Sequence, residues 1–348
     1  MNVAIITEAH SKIGTGHLVE SLNLAHYLSK VGLDVALWVN EGAPGSLTDN
    51  YFYASIHSYL RFADELDQIL QKMQNKGVRV VLFDLRRINN DVLNTFNRYF
   101  KLVCIDELGR RRLDCDAIIN PLMVNEYHKY WAGDGRPSPA LFMGPAYFII
   151  SEGIARANKA ERVFNNSIKT ISVCMGGVDR TGATFRIIDV LAKWKDHVIK
   201  NIILGAGFES VREIREKLEN LSGKNFCLFH GIDNIEDYYL ASDVVFSAGG
   251  NTLYELACTG TPALVLYEDE HEKENGLAFA GMGFGYCLGP GISCEPELIW
   301  GHLDLFEPVE MRQRHSNTGK RLVDGEGNAR IADLLKKMID DIPIQNLS

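Results

Sequence analysis

Short apolar runs alternate with segments of helical periodicity along most of the chain. The apolar run 2–7 precedes the segment 17–28. Apolar residues of that segment recur at helical spacing, namely Leu18, Leu22, Ala25 and Leu28. An uninterrupted apolar run indicates a strand buried on both faces, and strand–helix–strand alternation is typical of a parallel sheet covered by helices. The sequence therefore predicts an α/β protein built on parallel sheets.

The alternation occurs in two successive blocks. In the first block we expect strands at 2–7, 34–39, 78–83, 102–105 and 117–119, with helices at 17–28, 64–75 and 90–100. In the second we expect strands at 170–174, 201–205, 226–229, 243–246 and 262–266, with helices at 184–194, 211–221, 234–242 and 252–259. The predicted organisation is two α/β units of similar size.

A polar stretch separates the two blocks. Residues 155–166 lack apolar periodicity, so we place the linker there and expect an N-terminal domain at 1–155 and a C-terminal domain at 167–348. The segment 127–139 is predicted to be a loop. Residues Ile331, Leu334, Leu335 and Met338 share one face of a helix predicted at 328–338. We expect this helix to close the C-terminal domain.

Composition excludes several classes of protein. The 348 residues suffice for two cores, and a net charge of −9 argues against binding to nucleic acid. The chain has no apolar run of ~18 residues and no basic segment typical of a signal peptide, so we expect a cytoplasmic protein without stable membrane insertion. The seven cysteines form no Cys-x-x-Cys pair, which argues against structural zinc and disulfides.

Glycine-rich loops follow predicted strands at three places. They lie at 14–17, at 176–177 and at 249–252, each before a predicted helix. Ligands of parallel sheets bind at the carboxyl ends of strands, where free N–H groups of helix N-termini attract anions. We therefore predict an inter-domain cleft that binds a phosphate-bearing ligand; the alternative is that the glycines only form turns. Neither a complete dinucleotide fingerprint nor a P-loop is present.

His17 and Glu255 are the side chains best placed for chemistry. His17 occupies the first turn of a predicted helix, beside a glycine loop, where it can act as a base, an acid or a phosphate partner. Glu255 lies one turn beyond Thr252, where a carboxylate can accept hydrogen bonds from a ribose diol. The alternatives are an unreactive helix residue and a solvent-facing Glu. The acidic run 268–274 lacks regular ligand spacing, so we expect a solvated loop and no metal ion.

Four motifs together resemble a known family. They are Gly14-x-Gly-His17, Met175-Gly-Gly-x-Asp179, the run 247–255 (Ser-Ala-Gly-Gly-Asn-Thr-Leu-Tyr-Glu) and the run 323–331 (Val-Asp-Gly-Glu-Gly-Asn-Ala-Arg-Ile). In this order they resemble the UDP-sugar hydrolases of pseudaminic acid biosynthesis and the related spore-coat-polysaccharide proteins, relatives of the glycosyltransferase that makes lipid II. The resemblance implies a GT-B architecture, in which two Rossmann-like parallel-sheet domains face each other across a cleft.

The resemblance also implies a reaction and a set of site residues. Water would displace UDP from the anomeric carbon of a 2,4-diacetamido-trideoxyhexose, with His17 and Asn275 as catalytic residues and no metal or other cofactor. Glu255 would bind the ribose, and backbone near Gly231 and Ile232 the uracil. The remaining residues implied in UDP binding are Gly14, Thr15, Gly16, Gly176, Gly177, Gly249, Gly250, Asn251 and Thr252.

The chain departs from the family pattern near the expected sugar site. Glu20 stands where the family commonly has Arg, Ala146 replaces an Arg in Gly-Pro-Arg-Tyr, and Asn275-Gly276 matches only half of an Asn-Gln pair. Two alternatives therefore stay open. One is a GT-B glycosyltransferase that passes the sugar from UDP to an acceptor, and the other is a subunit that binds nucleotide sugars without catalysis. The sequence does not predict an oligomeric state.

Overall fold

The chain folds into two compact units. The computed structural model describes residues 2–9, 16–41, 43, 54–59, 62, 64–105, 112–124, 138–177 and 179–344. The first unit comprises Met1–Glu152 and Glu326–Ser348, and the second comprises Gly153–Gly325. Each unit contains one parallel sheet and its own apolar core, as the sequence predicts for an α/β protein. Among the described residues, no helix is long and apolar enough to span a lipid bilayer.

The first unit is built on a seven-stranded sheet. Its strands are β1 (Val3–Thr7), β2 (Val35–Asn40), β3 (Ser55–Tyr59), β4 (Val80–Asp84), β5 (Lys101–Ile105), β6 (Ala117–Asn120) and β7 (Ala140–Met143). Its helices include α1 (Gly16–Lys30), α2 (Leu66–Asn75) and α3 (Asn90–Phe96). The strand order is β3-β2-β1-β4-β5-β6-β7, and each neighbouring pair is parallel.

Alternation along β1 divides the first core into two layers. Val3 and Ile5 belong to one cluster of buried side chains, which includes Leu18 of α1. Ala4 and Ile6 belong to a second cluster, which includes Phe96 of α3. Because successive side chains of a strand point to opposite faces, an apolar run can be buried from both sides, which is why it shows no polar alternation.

The second unit is built on a six-stranded sheet. Its strands are β8 (Thr170–Val173), β9 (Ile199–Leu204), β10 (Phe226–His230), β11 (Val244–Ser247), β12 (Ala263–Tyr267) and β13 (Tyr286–Pro290). Its helices are α4 (Glu152–Lys159, whose first residue belongs to the first unit), α5 (Ala183–Leu191), α6 (Val211–Glu219), α7 (Ile235–Ala241), α8 (Asn251–Thr259), α9 (Glu270–Gly281), α10 (Pro296–Leu305) and α11 (Val309–Leu322). The order is β10-β9-β8-β11-β12-β13, again with parallel neighbours.

Both sheets reverse their strand order once. In the first unit the reversal lies between β1 and β4, and in the second between β8 and β11. Loops leave these two neighbouring strands in opposite directions, which opens a crevice at their carboxyl ends. The two reversal points are therefore where we look for functional side chains.

The C-terminal helix packs in the first unit. Helix α12 (Gly327–Ile339) places Leu335 and Met338 in the core that contains Val3 and Leu18. The Asn328 side chain joins it to the backbone of Ile150, donating to the carbonyl oxygen at 2.8 Å and accepting from the N–H at 3.2 Å. The predicted placement of this helix in the C-terminal domain is wrong, because periodicity reveals an apolar face without revealing the surface that covers it.

Two further segments differ from their predictions. The acidic run 268–274 is not a solvated loop, because helix α9 begins within it at Glu270 and Asp269 caps that helix by accepting from the N–H of Glu272 at 3.0 Å. The expected linker starts as helix α4, whose buried face contains Ile154 and Ala157. The predicted loop 127–139 lies outside the described residues except for its last two positions.

Candidate functional site

Three side chains meet at the reversal point of the first sheet. His17 lies in the first turn of α1, and Asp84 is the last residue of β4. The Nδ1 atom of His17 lies 2.7 Å from Oδ1 of Asp84, and the Ser21 hydroxyl donates to Oδ2 of the same carboxylate at 2.7 Å. Ser21 and His17 are one helical turn apart, so they lie on the same face of α1. Asp84 is fully buried, whereas the His17 side chain is 30% exposed.

This arrangement selects the reactive nitrogen of His17. A carboxylate only accepts hydrogen bonds, so Nδ1 must carry the proton that is shared with Asp84. In the neutral ring Nε2 is then unprotonated and can accept a proton from a substrate or a water molecule. Asp84 also stabilises the imidazolium that forms after this transfer. The group is therefore equipped to act as an oriented general base.

Glu20 adds a second buried carboxylate next to His17. Its side chain is only 6% exposed, and one ligand atom from each of Glu20, His17 and Asp84 lies within 4.8 Å of the others. Such a set could hold a metal ion, although both Asp84 oxygens already accept hydrogen bonds from His17 and Ser21. The sequence predicts no metal ion here, and that stays a prediction. Glu20 places additional negative charge close to the imidazole.

The first glycine loop is described only in part. Gly14 and Thr15 lie outside the described residues, and Gly16 is the first residue of α1. The N–H groups in the first turn of a helix lack intrahelical partners. Gly16 therefore places a backbone N–H next to His17, and the role of this loop in UDP binding stays a prediction.

The other two glycine loops lie side by side in the second unit. One follows β8 and contains Gly176 and Gly177, and the other follows β11, the neighbouring strand, and leads into α8. Gly176 has φ +93°, a conformation that side chains rarely adopt. At Gly249, with φ +106°, a Cβ atom would lie 2.7 Å from the carbonyl oxygen of Glu272. Both glycines are therefore needed by the backbone, and the amides of Gly250, Asn251 and Thr252 are placed at the start of α8.

Glu255 lies in α8, one turn beyond Thr252. Its Oε2 atom accepts a hydrogen bond from the Tyr239 hydroxyl at 3.1 Å. Burial raises the pKa of Glu255 to about 7, although the bond from Tyr239 acts in the opposite direction. The side chain thus lies in the helix that follows the third glycine loop, and its role in ribose binding stays a prediction.

Ile232 and Asn275 occupy different surroundings. Ile232 follows β10 at the same carboxyl edge of the sheet, next to Gly231 with φ +62°. Asn275 lies in α9 and is 1% exposed. Its Oδ1 atom accepts from the Tyr254 hydroxyl at 3.0 Å, and its Nδ2 atom has no partner among the described residues. Its catalytic role stays a prediction, and the burial of its side chain argues against direct contact with a substrate.

Several residues near these loops make contacts that the sequence does not predict. Asp179 caps α5, accepting from the N–H groups of Ala183 at 2.9 Å and Thr184 at 2.7 Å. Burial alone would raise its pKa, but these bonds hold it below the ordinary value. Glu272 was assigned to a loop, yet its Oε1 atom lies 3.8 Å from where a Cβ of Gly250 would be, and burial raises its pKa to about 7. Spacing relative to His17 could have identified Ser21, whereas nothing local identifies Tyr239.

Comparisons with known proteins identify the fold. No protein-family model matches the chain. It is 23% identical to the spore coat polysaccharide biosynthesis protein SpsG of Bacillus subtilis (strain 168) over 347 residues, which cover 98% of this chain and 99% of SpsG.

Solved structures also match this chain over almost its whole length. Acinetobacter baumannii MurG matches with a TM-score of 0.65 and 13% identity over 97% of this chain and 100% of MurG. The UDP-GlcNAc 2-epimerase of Neisseria meningitidis, bound to UDP-GlcNAc, matches with a TM-score of 0.66 and 14% identity over 97% of this chain and 100% of the epimerase. The chain therefore has the GT-B fold, with two Rossmann-like parallel-sheet units.

Proposed function

We propose that this protein is a UDP-sugar hydrolase of surface-polysaccharide biosynthesis. Its substrate would be a UDP-linked amino-deoxy sugar of the 2,4-diacetamido-trideoxyhexose type, and the reaction would take place in the cytoplasm. The observation that carries the proposal is the oriented general base formed by His17, Asp84 and Ser21 at the reversal point of the first sheet. The name of SpsG supports a role in polysaccharide biosynthesis, and the UDP-GlcNAc bound to the epimerase supports a nucleotide sugar as the substrate.

The second unit supplies the groups that a nucleoside diphosphate requires. The backbone N–H groups of residues 249–252 and the positive end of the α8 dipole suit a diphosphate. The Glu255 carboxylate suits the two hydroxyls of a ribose. Backbone atoms of Gly231 and Ile232 are the proposed contacts of the uracil. A metal ion is not required, because amides and a helix dipole can stabilise the leaving diphosphate.

The chemical step is a single displacement at the anomeric carbon. A water molecule forms the new C–O bond while Nε2 of His17 takes one of its protons. The bond to the UDP oxygen breaks, and its electron pair leaves with the diphosphate, whose charge the amides at the start of α8 stabilise. Asp84 keeps the imidazole in the required tautomer throughout. One displacement inverts the configuration of the sugar.

Proton NMR of the reaction tests the proposal. The protein is incubated with UDP-2,4-diacetamido-2,4,6-trideoxyhexoses, and we expect free UDP together with a sugar of inverted anomeric configuration. The His17→Ala variant should lose this activity. His26→Ala is the matched control, because His26 lies on the same helix but interacts with Glu152. The proposal fails if wild-type protein binds UDP but releases none from these substrates.

A glycosyltransferase is the second candidate, and Glu20 is the observation that favours it. This buried carboxylate lies beside His17. The hydrolases that the sequence resembles commonly have Arg at the position of Glu20. A transferase would use the same UDP site, and His17 would take the proton of an acceptor hydroxyl instead of water. Binding of UDP-sugar without turnover, followed by UDP release when an acceptor is supplied, would favour this function over hydrolysis.

A further inference from the structure

Tyr239 connects Glu255 to the interior of the second unit. It lies in α7 and is completely buried. Its hydroxyl donates to Oε2 of Glu255 at 3.1 Å and lies 3.6 Å from the Cys174 thiol. A buried phenol hydroxyl without partners would be unfavourable, and here it has one partner on each side. Burial raises the pKa of Tyr239 well above its ordinary value, so the hydroxyl keeps its proton.

Cys174 extends this contact to both glycine loops. It immediately follows β8 and is 3% exposed. Its thiol also interacts with the N–H of Gly176 and with the Thr252 side chain. Burial raises the pKa of the thiol against these hydrogen bonds, so Cys174 is a neutral donor. Cys174, Tyr239 and Glu255 thus form one chain of polar groups beside the two glycine loops.

We propose that Tyr239 is a positioning residue for nucleotide binding, which holds the Glu255 carboxylate in the orientation and charge state that a ribose diol requires. The inference rests on the proposed function, in which Glu255 accepts hydrogen bonds from the ribose of a nucleoside diphosphate. Fixing Oε2 through the phenol restricts rotation of the carboxylate and leaves Oε1 to accept from the diol. Preorganisation of this kind lowers the entropic cost of binding.

The charges around Glu255 make this role measurable. Burial raises its pKa, the hydroxyl of Tyr239 lowers it, and the Glu236 carboxylate of α7 raises it. Among the described residues, Cys174 and Cys258 also interact electrostatically with Glu255, and burial keeps both thiols neutral. Without the phenol hydroxyl the carboxyl should stay protonated to higher pH. A protonated carboxyl has lost acceptor capacity, so UDP should bind more weakly near neutral pH.

Calorimetric titration of the full chain with UDP between pH 6 and pH 9 tests the inference. We expect Tyr239→Phe to move the midpoint of the pH profile upward by about one unit and thereby to weaken UDP binding about threefold at pH 7.5, because a hydrogen bond to a charged group is lost. The loss should shrink toward pH 9, where Glu255 ionises in both proteins. In Glu255→Gln, which cannot titrate, the affinity should show no such profile.

Tyr254→Phe is the matched control. Tyr254 is also fully buried in the second unit, but its hydroxyl donates to the Asn275 amide, which does not titrate. This variant should keep the wild-type midpoint. An unshifted midpoint in Tyr239→Phe, or a loss of affinity that is the same at every pH, would overturn the inference.

A second variant guards against misfolding of Tyr239→Phe. Cys174→Ala retains Tyr239 and removes the thiol on its other side, so we expect a shift in the same direction with about a twofold loss of affinity at pH 7.5. A Cys174→Ala profile that coincides with the wild type would count against the chain of polar groups. Failure of wild-type protein to bind UDP at any pH would overturn the proposed function itself, which distinguishes the two failures.

Discussion

Among single residues, the pair His17 and Asp84 is the most informative, because one side chain is partly exposed and the other is fully buried. Asp84 is fully enclosed, yet it makes two hydrogen bonds and therefore avoids the cost of a buried charge without partners. Its register partner on β1 is Thr7. Its hydrogen bonds to His17 and Ser21 place the end of β4 next to the start of α1. Because His17 is partly exposed, its imidazole is available to a substrate, while the hydrogen bond to the buried Asp84 fixes the orientation of the ring.

Replacing Asp84 with Asn should lower catalysis while leaving substrate binding nearly intact. The amide can present an N–H to Nδ1 of His17, which stabilises the wrong tautomer, and it cannot stabilise the imidazolium. We expect kcat for UDP release to fall about 100-fold or more, with KM changed less than threefold. Ser21→Ala should cost about tenfold or less, because it removes only one of the two bonds to the carboxylate. Steady-state UDP release measures both, and equal losses in the two variants would contradict the role of Asp84.

His315 should make the second unit sensitive to acid. Its Nδ1 atom accepts from the N–H of Gly285 at 2.8 Å, and burial together with Arg314 lowers its pKa to about 4. The folded pKa lies below the unfolded value, so stability is present at neutral pH and is lost as the pH falls from about 6.5 toward 4. We expect a loss of roughly 2–3 kcal/mol between pH 7 and pH 4.5 from this residue. His315→Asn should keep an acceptor but flatten that part of the profile, measured by urea denaturation, and a slope equal to wild type would refute this account.

At the scale of elements, a buried arginine orders the chain where the second sheet begins. Arg312 of α11 is completely buried and forms an ion pair with Asp243, which directly precedes β11. Its guanidinium also donates to the carbonyl oxygen of Asn165 at 2.6 Å. The other oxygen of Asp243 accepts from the N–H groups of Lys169 at 2.7 Å and Thr170 at 3.0 Å. This ion pair therefore connects the chain at the start of β8 with the chain at the start of β11. These are the two strands that the glycine loops follow.

Replacing Arg312 tests how strongly the stability of the second unit depends on the ion pair with Asp243. In Arg312→Met the Asp243 carboxylate stays buried without its cation, and we expect the free energy of unfolding to fall by about 3–5 kcal/mol. The double variant with Asp243→Asn should recover part of this loss, because the uncompensated charge is gone. Urea denaturation of the three proteins provides the comparison. If the free energy of unfolding of Arg312→Met falls by less than about 1 kcal/mol, the ion pair contributes little to the stability of the second unit.

At the scale of the whole molecule, the two units differ in how the chain builds them. The second is continuous from Gly153 to Gly325, whereas the first is completed only when the chain returns at Glu326. Helix α12 then adds Ile331 and Leu335, both completely buried, to the core of the first unit. The stability of the first unit therefore depends on residues that are more than 150 positions away in sequence.

Leu335→Ala should destabilise the first unit and spare the second. We expect a local loss of about 2–5 kcal/mol, because a completely buried leucine is removed. Hydrogen exchange measured by mass spectrometry should show faster exchange in β1, β2 and β4 and unchanged exchange in β8 and β11. The matched control is Leu303→Ala, which removes an equally buried leucine of α10 and should give the opposite pattern. Uniform loss of protection in either variant would contradict separate cores.

Local patterns predicted the elements more successfully than their partners. The runs at β1, β2, β4 to β6 and β8 to β12 are apolar enough to be recognised, and periodicity identified α1 and the face of α12. Strands β3, β7 and β13 were missed: all three are edge strands, β3 and β13 are partly exposed, and β7 has only four residues, so none of them forms a long apolar run. The acidic start of α9 was taken for a loop, because carboxylates that stabilise a helix N-terminus resemble a solvated segment.

The amino-acid sequence was sufficient to predict the α/β class, the two successive units, the glycine loops at strand ends and the candidates His17 and Glu255. These features depend on residue type and short spacing, which act within a single element and its adjoining loop. Three contacts became visible only in the folded chain, namely Asp84 with His17, Tyr239 with Glu255, and α12 with the core of the first unit. Each of these joins residues that are far apart in the chain, and such contacts form only when strand order and register bring different elements to the same edge of a sheet.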